Sequence, residues 1–319
     1  MKIVVLERKS VGMDVDMSCY EEFGEVTYYD NTTTKEEAAQ RITEAEIVIA
    51  NKAPLCAQVL EQAKQLKMIC VLATGYDVVD IAYCRAHGIR VANVVDYSSA
   101  MVAQHAVTLA LALSGKIAYY DQFVKSGAYS AQSSFSHFEE TFCELDGKTW
   151  GIVGMGNIGR RTARIAQALG CRIITHSLTG KGASAGYELV SKDELLARSD
   201  VLSLHCPLSD LSRHYIDADA LRKMKKSAVL INVARGAVVD TQALYEALHA
   251  GEIAAAGLDV LDREPMAADN PLGRIKDSCR LLITPHLAWA SVEARRRCVQ
   301  GVYMNIKAFI QGEERNVVC

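Results

Sequence analysis

Residues 150–170 read WGIVGMGNIGRRTARIAQALG, and the fold of the chain turns on this stretch. An apolar run leads into Gly154, Gly156 and Gly159 in G-x-G-x-x-G spacing, and an amphipathic segment with helical periodicity leaves it and stops at Gly170. Each glycine answers a different physical demand. Gly154 allows a tight turn, Gly156 lets a pyrophosphate approach the backbone, and Gly159 lets helix and strand pack closely. The helix that opens there offers unpaired N–H groups and the positive end of its dipole. Glycine-rich turns are common, but a strand directly before and a helix directly after make this one a dinucleotide site, formed by Gly154, Met155, Gly156, Asn157, Ile158 and Gly159.

The pattern extends in both directions. Downstream, CRIITHS, DVLSLHCP, AVLINVARG, AAGLDV and LLITP bring the series to about six strands, the size of a doubly wound nucleotide-binding sheet. Upstream, the strand-like runs KIVVLE, EIVIANK, MICVLAT and IRVANV alternate with the helical segments KEEAAQRITEA, AQVLEQAK and VVDIAYCRAHG. Near-continuous apolar strands between helices predict a parallel sheet covered on both faces. The fold class is therefore α/β, with two parallel-sheet units. Between them a helix is expected from a Ser98–Ser99 cap to Gly115. The polar and aromatic stretch from Tyr119 to Thr141 reads as an irregular excursion, and Ser291–Ile310 reads as a single helix.

Composition narrows the function classes. The chain has 319 residues, 50% of them hydrophobic, enough for two cores. A formal net charge of -3 gives no electrostatic case for nucleic acid or an anionic membrane as partner. Ten cysteines occur with no C-x-x-C pair, which predicts reduced thiols in a cytoplasmic protein. MKIVVLERKS meets charge too early for a signal peptide, and the most apolar helical stretch, Ala100–Leu113, is too short to span a bilayer. No His/Asp/Glu spacing of the H-E-x-x-H kind is present, so no metal is expected.

Three further stretches, INVARGAVVD (231–240), GLDVLDREP (257–265) and ITPHLAWAS (283–291), join VLATGYDVVD (71–80) and the glycine turn. In this order they resemble the D-isomer-specific 2-hydroxyacid dehydrogenases, over essentially the whole chain. The ATGYDVVD loop looks most like that of the hydroxypyruvate and glyoxylate reductases, also called glycerate dehydrogenases. The resemblance implies a flavodoxin-like substrate domain of residues 1–97 plus 288–319, interrupted by a Rossmann NAD(P)-binding domain of residues 98–287. It also implies a homodimer held by the helix near 99–113 and the excursion after it.

The residues make chemical sense beside that resemblance. Reduction of a 2-keto acid by hydride needs a cation for the carboxylate and carbonyl oxygen, a proton donor at that oxygen, and a group that tunes the donor. Arg235 follows a buried strand, at the carboxyl end where open α/β sheets place ligands, and its fork suits a carboxylate. His286 follows LLITP, and Glu264 sits in the loop after AAGLDV. A carboxylate beside an imidazole can hold the proton that the carbonyl oxygen will need. Singly, an arginine after a strand is usually a solvated charge and a histidine in a T-P-H turn usually structural. Their joint occurrence with the fingerprint favours catalysis, whereas His205 reads with Cys206 and Pro207 as a strand end lining the cofactor cleft. The loop Thr74, Gly75 and Tyr76 offers backbone N–H groups to a substrate carboxylate. By the resemblance, Asp259 meets the nicotinamide carboxamide, and Val233 and Ala234 lie against the nicotinamide ribose.

One expected residue is missing. Dinucleotide sites usually place an acid about twenty residues after the glycine motif, on the ribose hydroxyls. From Gly147 through Tyr187 the chain has no Asp and no Glu; by the resemblance, counted from ALG at 168–170, Ser177 stands at that position. Ser177 does not repel a 2′-phosphate, and Ser177, Thr179 and Lys181 can contact one. The cofactor is therefore NAD or NADP, with a slight lean to NADP. No Arg occupies 173–187, which tempers that lean. The substrate is expected to be hydroxypyruvate or glyoxylate. The rivals are D-lactate, phosphoglycerate or a larger 2-keto acid as substrate, and a cofactor-sensing binding protein on the same fold.

Overall fold

The computed structural model describes residues 1–180 and 186–319. Two compact units emerge, Met1–Ser98 with Trp289–Cys319, and Ser99–Ala288.

The first unit is built on five strands: β1 (Lys2–Val5), β2 (Glu25–Tyr28), β3 (Ile47–Ala50), β4 (Met68–Val71) and β5 (Arg90–Ala92). Their order is β2-β1-β3-β4-β5 and every pair is parallel. This is the flavodoxin-like order, whose ligand crevice lies beyond the carboxyl ends of β1 and β3, where the order reverses. β3 and β4 are buried along their whole length, as apolar strands between two helix layers must be. The helix Lys35–Ile42 starts in a capping box between Thr34 and Glu37. The chain returns in the helix Val292–Ile310, capped by Ser291, whose Oγ accepts from the Ala294 amide at 3.2 Å. The buried Tyr20 hydroxyl ties this helix down by donating to the Val299 carbonyl at 3.2 Å. β2 was not among the expected strands. It is an edge strand with no buried residue, so it lacks the apolar run that marks its neighbours.

The second unit holds β6 (Thr149–Val153), β7 (Arg172–His176), β8 (Glu188–Leu189), β9 (Val201–Leu204), β10 (Val229–Asn232), β11 (Ala255–Leu258) and β12 (Leu281–Ile283). The order is β12-β11-β10-β9-β6-β7-β8, again all parallel. Counting outward from β6, the order turns back on itself between β6 and β9, and a doubly wound sheet opens its ligand crevice there. The seventh strand, β8, escapes sequence reading because it is two exposed residues at the sheet edge.

The excursion is more ordered than its composition suggests. Helices span Ile117–Lys125 and Ala128–Ala131. Lys116, at φ 52°, breaks the first of these from the helix Ser99–Ser114. No residue of Ile117–Lys125 is buried, so its apolar side chains gave no clean inward face from which to read a helix. Among the described residues no single helix is long and apolar enough to cross a membrane; Ser99–Ser114 and Ile117–Lys125 pass that test only as a bent pair.

Candidate active site

The glycine turn lies at the switch point of the second sheet. Gly154 adopts φ 93°, and a Cβ there would stand 3.0 Å from the backbone of His205 and Cys206. Its neighbour is therefore the end of β9, across the crevice. A Cβ on Gly159 would overlap the Gly154 carbonyl, so helix Asn157–Ala168 can meet β6 this closely only without a side chain. Gly156 differs from both: a Cβ there would meet nothing within 4 Å, and the residue caps the helix in extended backbone. That open space leaves room for a phosphate at the helix N-terminus. Arg160 closes the rim by donating to the Met155 carbonyl at 2.9 Å and to Asn157 Oδ1 at 2.7 Å.

His205 belongs to the wall of this crevice. The indole Nε1 of buried Trp150 donates to Ser203 Oγ at 2.8 Å, and that hydroxyl meets His205 Nε2 at 3.0 Å. The other ring nitrogen, Nδ1, is buried with no partner among the described residues. Burial pushes His205 down to about 3, so it is neutral at pH 7 and no proton donor. Burial likewise raises the Cys206 thiol to about 11, which rules it out as a thiolate nucleophile.

The catalytic candidates gather at the carboxyl ends of β10, β11 and β12. After β10, buried Asn232 folds the chain: its Oδ1 accepts from the Ala234 amide at 3.0 Å and its Nδ2 donates to the Arg235 carbonyl at 2.9 Å. The next residue, Gly236, lies so close to the backbone of Leu261 and Asp262 that a Cβ would overlap it. This contact brings the Arg235 loop against the loop that carries Glu264. Glu264 Oε1 accepts from the Leu261 amide at 2.9 Å, and its Oε2 meets His286 Nδ1 at 2.6 Å. With Nδ1 bound to a carboxylate, the ring presents Nε2 as its second nitrogen.

Asp259, buried at the end of β11, organises the histidine loop. Its carboxylate accepts from the Thr284 hydroxyl at 2.6 Å, the Leu287 amide at 2.9 Å and the Ala288 amide at 2.8 Å. Its backbone carbonyl accepts from the His286 amide at 2.8 Å, which helps hold His286 at φ 54°. Behind it, His105 Nε2 meets Thr284 Oγ1 at 2.9 Å. Because Thr284 donates to Asp259, its oxygen accepts from His105. Burial lowers the pKa of His105, against the opposing pull of Asp259, so the anchor is a neutral ring.

A glycine turn at the switch point, and an arginine loop packed on a carboxylate–imidazole pair, form one arrangement within a single unit. The model of the D-isomer specific 2-hydroxyacid dehydrogenase NAD binding domain matches residues 107–288. The chain belongs to the D-isomer specific 2-hydroxyacid dehydrogenase family. It is accordingly an oxidoreductase of the CH–OH group. The hydroxypyruvate reductase of Blautia hydrogenotrophica is 38% identical over 100% of this chain and 99% of its own. The glycerate dehydrogenase of Methylorubrum extorquens is 39% identical over 99% and 98%. Among solved structures, the acyclic imino acid reductase Bsp5, in complex with NADPH and D-Arg, superimposes with a TM-score of 0.89 at 29% identity, each chain covered in full.

For a dehydrogenase of this family the remaining expected residues fall as follows. Ser177 directly follows β7, beside His176, whose Nδ1 donates to the Val190 carbonyl at 2.9 Å. Lys181 lies outside the described residues. Val233 and Ala234 are buried in the Asn232 turn, and Cys206 and Pro207 follow β9. In the first unit, the Thr74 hydroxyl is committed to the Val94 carbonyl at 2.9 Å, and its own carbonyl accepts from Asn93 Nδ2 at 2.7 Å, so only backbone remains as donor at Thr74. Tyr76 is exposed. Sequence reading missed Asn232, Gly236, Thr284 and His105, which touch the candidate residues and hold their loops. An Asn ending an apolar strand is the single local signal among them.

Proposed function

We propose that this dehydrogenase reduces a small 2-keto acid, hydroxypyruvate or glyoxylate, to the D-2-hydroxy acid. The observation that carries this reading is the 2.6 Å contact of Glu264 with His286 Nδ1, set in loops pinned by Asp259 and Gly236. A nicotinamide cofactor held by the Gly154–Gly159 turn would supply the hydride for the carbonyl carbon. Arg235 holds the substrate carboxylate and polarises the carbonyl; Thr74, Gly75 and Tyr76 remain the substrate-binding candidates of the first unit, on the strength of the family resemblance. As the carbonyl oxygen gains charge, His286 Nε2 gives it a proton, and Glu264 fixes the ring and compensates its charge. Val233, Ala234 and Asp259 face the nicotinamide end, and Cys206 and Pro207 line the cleft. The cofactor is NAD(H) or NADP(H), with a lean to NADP(H) because Ser177 stands in place of an acid. A relative in fold was solved with NADPH. The enzyme works in the cytoplasm as a homodimer, and the exposed Ile117, Val124, Phe135 and Phe138 on the helices and excursion after Ser99–Ser114 supply the apolar surface for that contact.

The test is initial-rate oxidation of NADH and NADPH with hydroxypyruvate, glyoxylate, pyruvate and phenylpyruvate. His286→Ala should lower kcat on the best keto acid by about 10²- to 10⁴-fold, the usual share of a general acid. A His286→Ala enzyme turning over at the wild-type rate removes the proton-donor assignment.

A further inference from the structure

The carboxyl edge of the second sheet carries a cation that the proposed chemistry leaves unused. β8 runs parallel to β7 with Ile174 opposite Glu188 and Thr175 opposite Leu189. That register sets Val190 beside His176, where the 2.9 Å bond from Nδ1 confirms the pairing. Two residues on, Lys192 emerges at the same edge at which β7 gives way to Ser177. Dinucleotide-binding sheets put their ribose-binding acid at this spot. Lys192 Nζ sits 4.3 Å from the centroid of the Tyr215 ring, and the same buried ring stacks on His176 with centroids 5.9 Å apart and planes inclined by 25°.

The acids nearest to Lys192 in sequence are engaged elsewhere. Glu188 pairs with Arg198 at 2.7 Å, Asp193 with Lys223 at 3.0 Å, and Glu194 accepts from the Ser191 hydroxyl at 2.7 Å. The stretch Gly147–Tyr187 adds no carboxylate. An ammonium held on an aromatic ring, with the neighbouring carboxylates engaged by other partners, is a receptor for an anion. The ring also reduces the freedom that the long side chain would lose on binding.

We propose that Lys192, seated on Tyr215, receives the 2′-phosphate of NADPH. The proposal rests on the reading of Gly154–Gly159 as a dinucleotide site, and deepens it by naming the cation that selects the phosphorylated cofactor. A lysine contributes to phosphate as a point charge, whereas the ribose hydroxyl of NADH offers it little.

The experiment is calorimetric titration of the purified protein with 2′-phospho-ADP-ribose and with ADP-ribose, for wild type, Lys192→Gln and Lys192→Arg. Loss of one charge-assisted contact should weaken 2′-phospho-ADP-ribose about tenfold in Lys192→Gln. ADP-ribose binding should stay at its wild-type value, and Lys192→Arg should restore most of the loss. Equal weakening of both ligands, or an unchanged ratio between them, overturns the role of Lys192 while leaving the dinucleotide site standing. A folded wild-type protein that binds neither ligand overturns the dinucleotide reading, and this proposal with it.

Discussion

Gly236→Ala is the sharpest test of how the catalytic loops are held. Gly236 lies outside the left-handed region, so space alone decides the outcome. The atoms that its Cβ would strike are the carbonyl of Leu261 and the amide nitrogen of Asp262. These are backbone and cannot rotate away. Ordinary Cβ contacts lie at 3.4–4 Å, so the Leu261–Asp262 segment must retreat by about 1 Å or more, and a misplacement of that size costs roughly 100-fold. The retreat acts on the chemistry through one bond in particular, because the Leu261 amide holds Glu264 Oε1 and Glu264 holds His286. We expect kcat/KM on the best keto acid to fall about 100-fold, equivalent to about 2.7 kcal/mol of transition-state stabilisation. Cofactor affinity should fall less than kcat/KM, because on the proposed reading the glycine turn takes the pyrophosphate and only the nicotinamide end meets the Val233–Ala234 turn. Steady-state kinetics beside fluorescence titration of the reduced cofactor separates the two. A Gly236→Ala enzyme with wild-type kcat/KM and an unchanged Tm would refute the claim that this contact registers Arg235 against Glu264 and His286.

The parts that sequence reading reached and missed differ in a physical way. The glycine turn and the helix that follows it are local, each written within a few neighbouring residues. The central strands are legible for the same reason: burial on both faces imposes an unbroken apolar run, as in IVIA and MICV. Edge strands carry no such constraint, so β2 and the two residues of β8 pass unnoticed. The helix Ile117–Lys125 escaped because none of its residues is buried, so no core-facing stripe marks it. In the site, the residues that do chemistry could be named from motifs, whereas those that position them could not. Thr284 serves Asp259 across 25 positions of sequence, and His105 reaches Thr284 across 179. Lys192 shows the limit most clearly: its place at the edge where β7 ends follows from the register of a strand too short to be read.

Two further outcomes follow from the geometry of the crevice. Gly156→Ala meets open space, so its Tm should match wild type while the dissociation constant for the reduced cofactor rises about tenfold or more, since the added methyl occupies the approach of the pyrophosphate; equal affinity would remove the phosphate from this turn. His205 predicts a pH dependence of stability. Its ring nitrogens are buried in the folded state and its pKa is lowered from 6.5 to about 3, so the unfolded chain takes up a proton that the folded chain refuses. Stability from the neutral ring is therefore complete above pH 6.5 and is lost as the pH falls towards 3, with a limiting slope of about 1.4 kcal/mol per pH unit. Urea denaturation at pH 7, 6 and 5 should show a shallower acid decline for His205→Asn than for wild type, because asparagine takes up no proton in either state. Parallel declines would mean that water reaches the His205 ring in solution, and the crevice wall would then be open where the structure closes it.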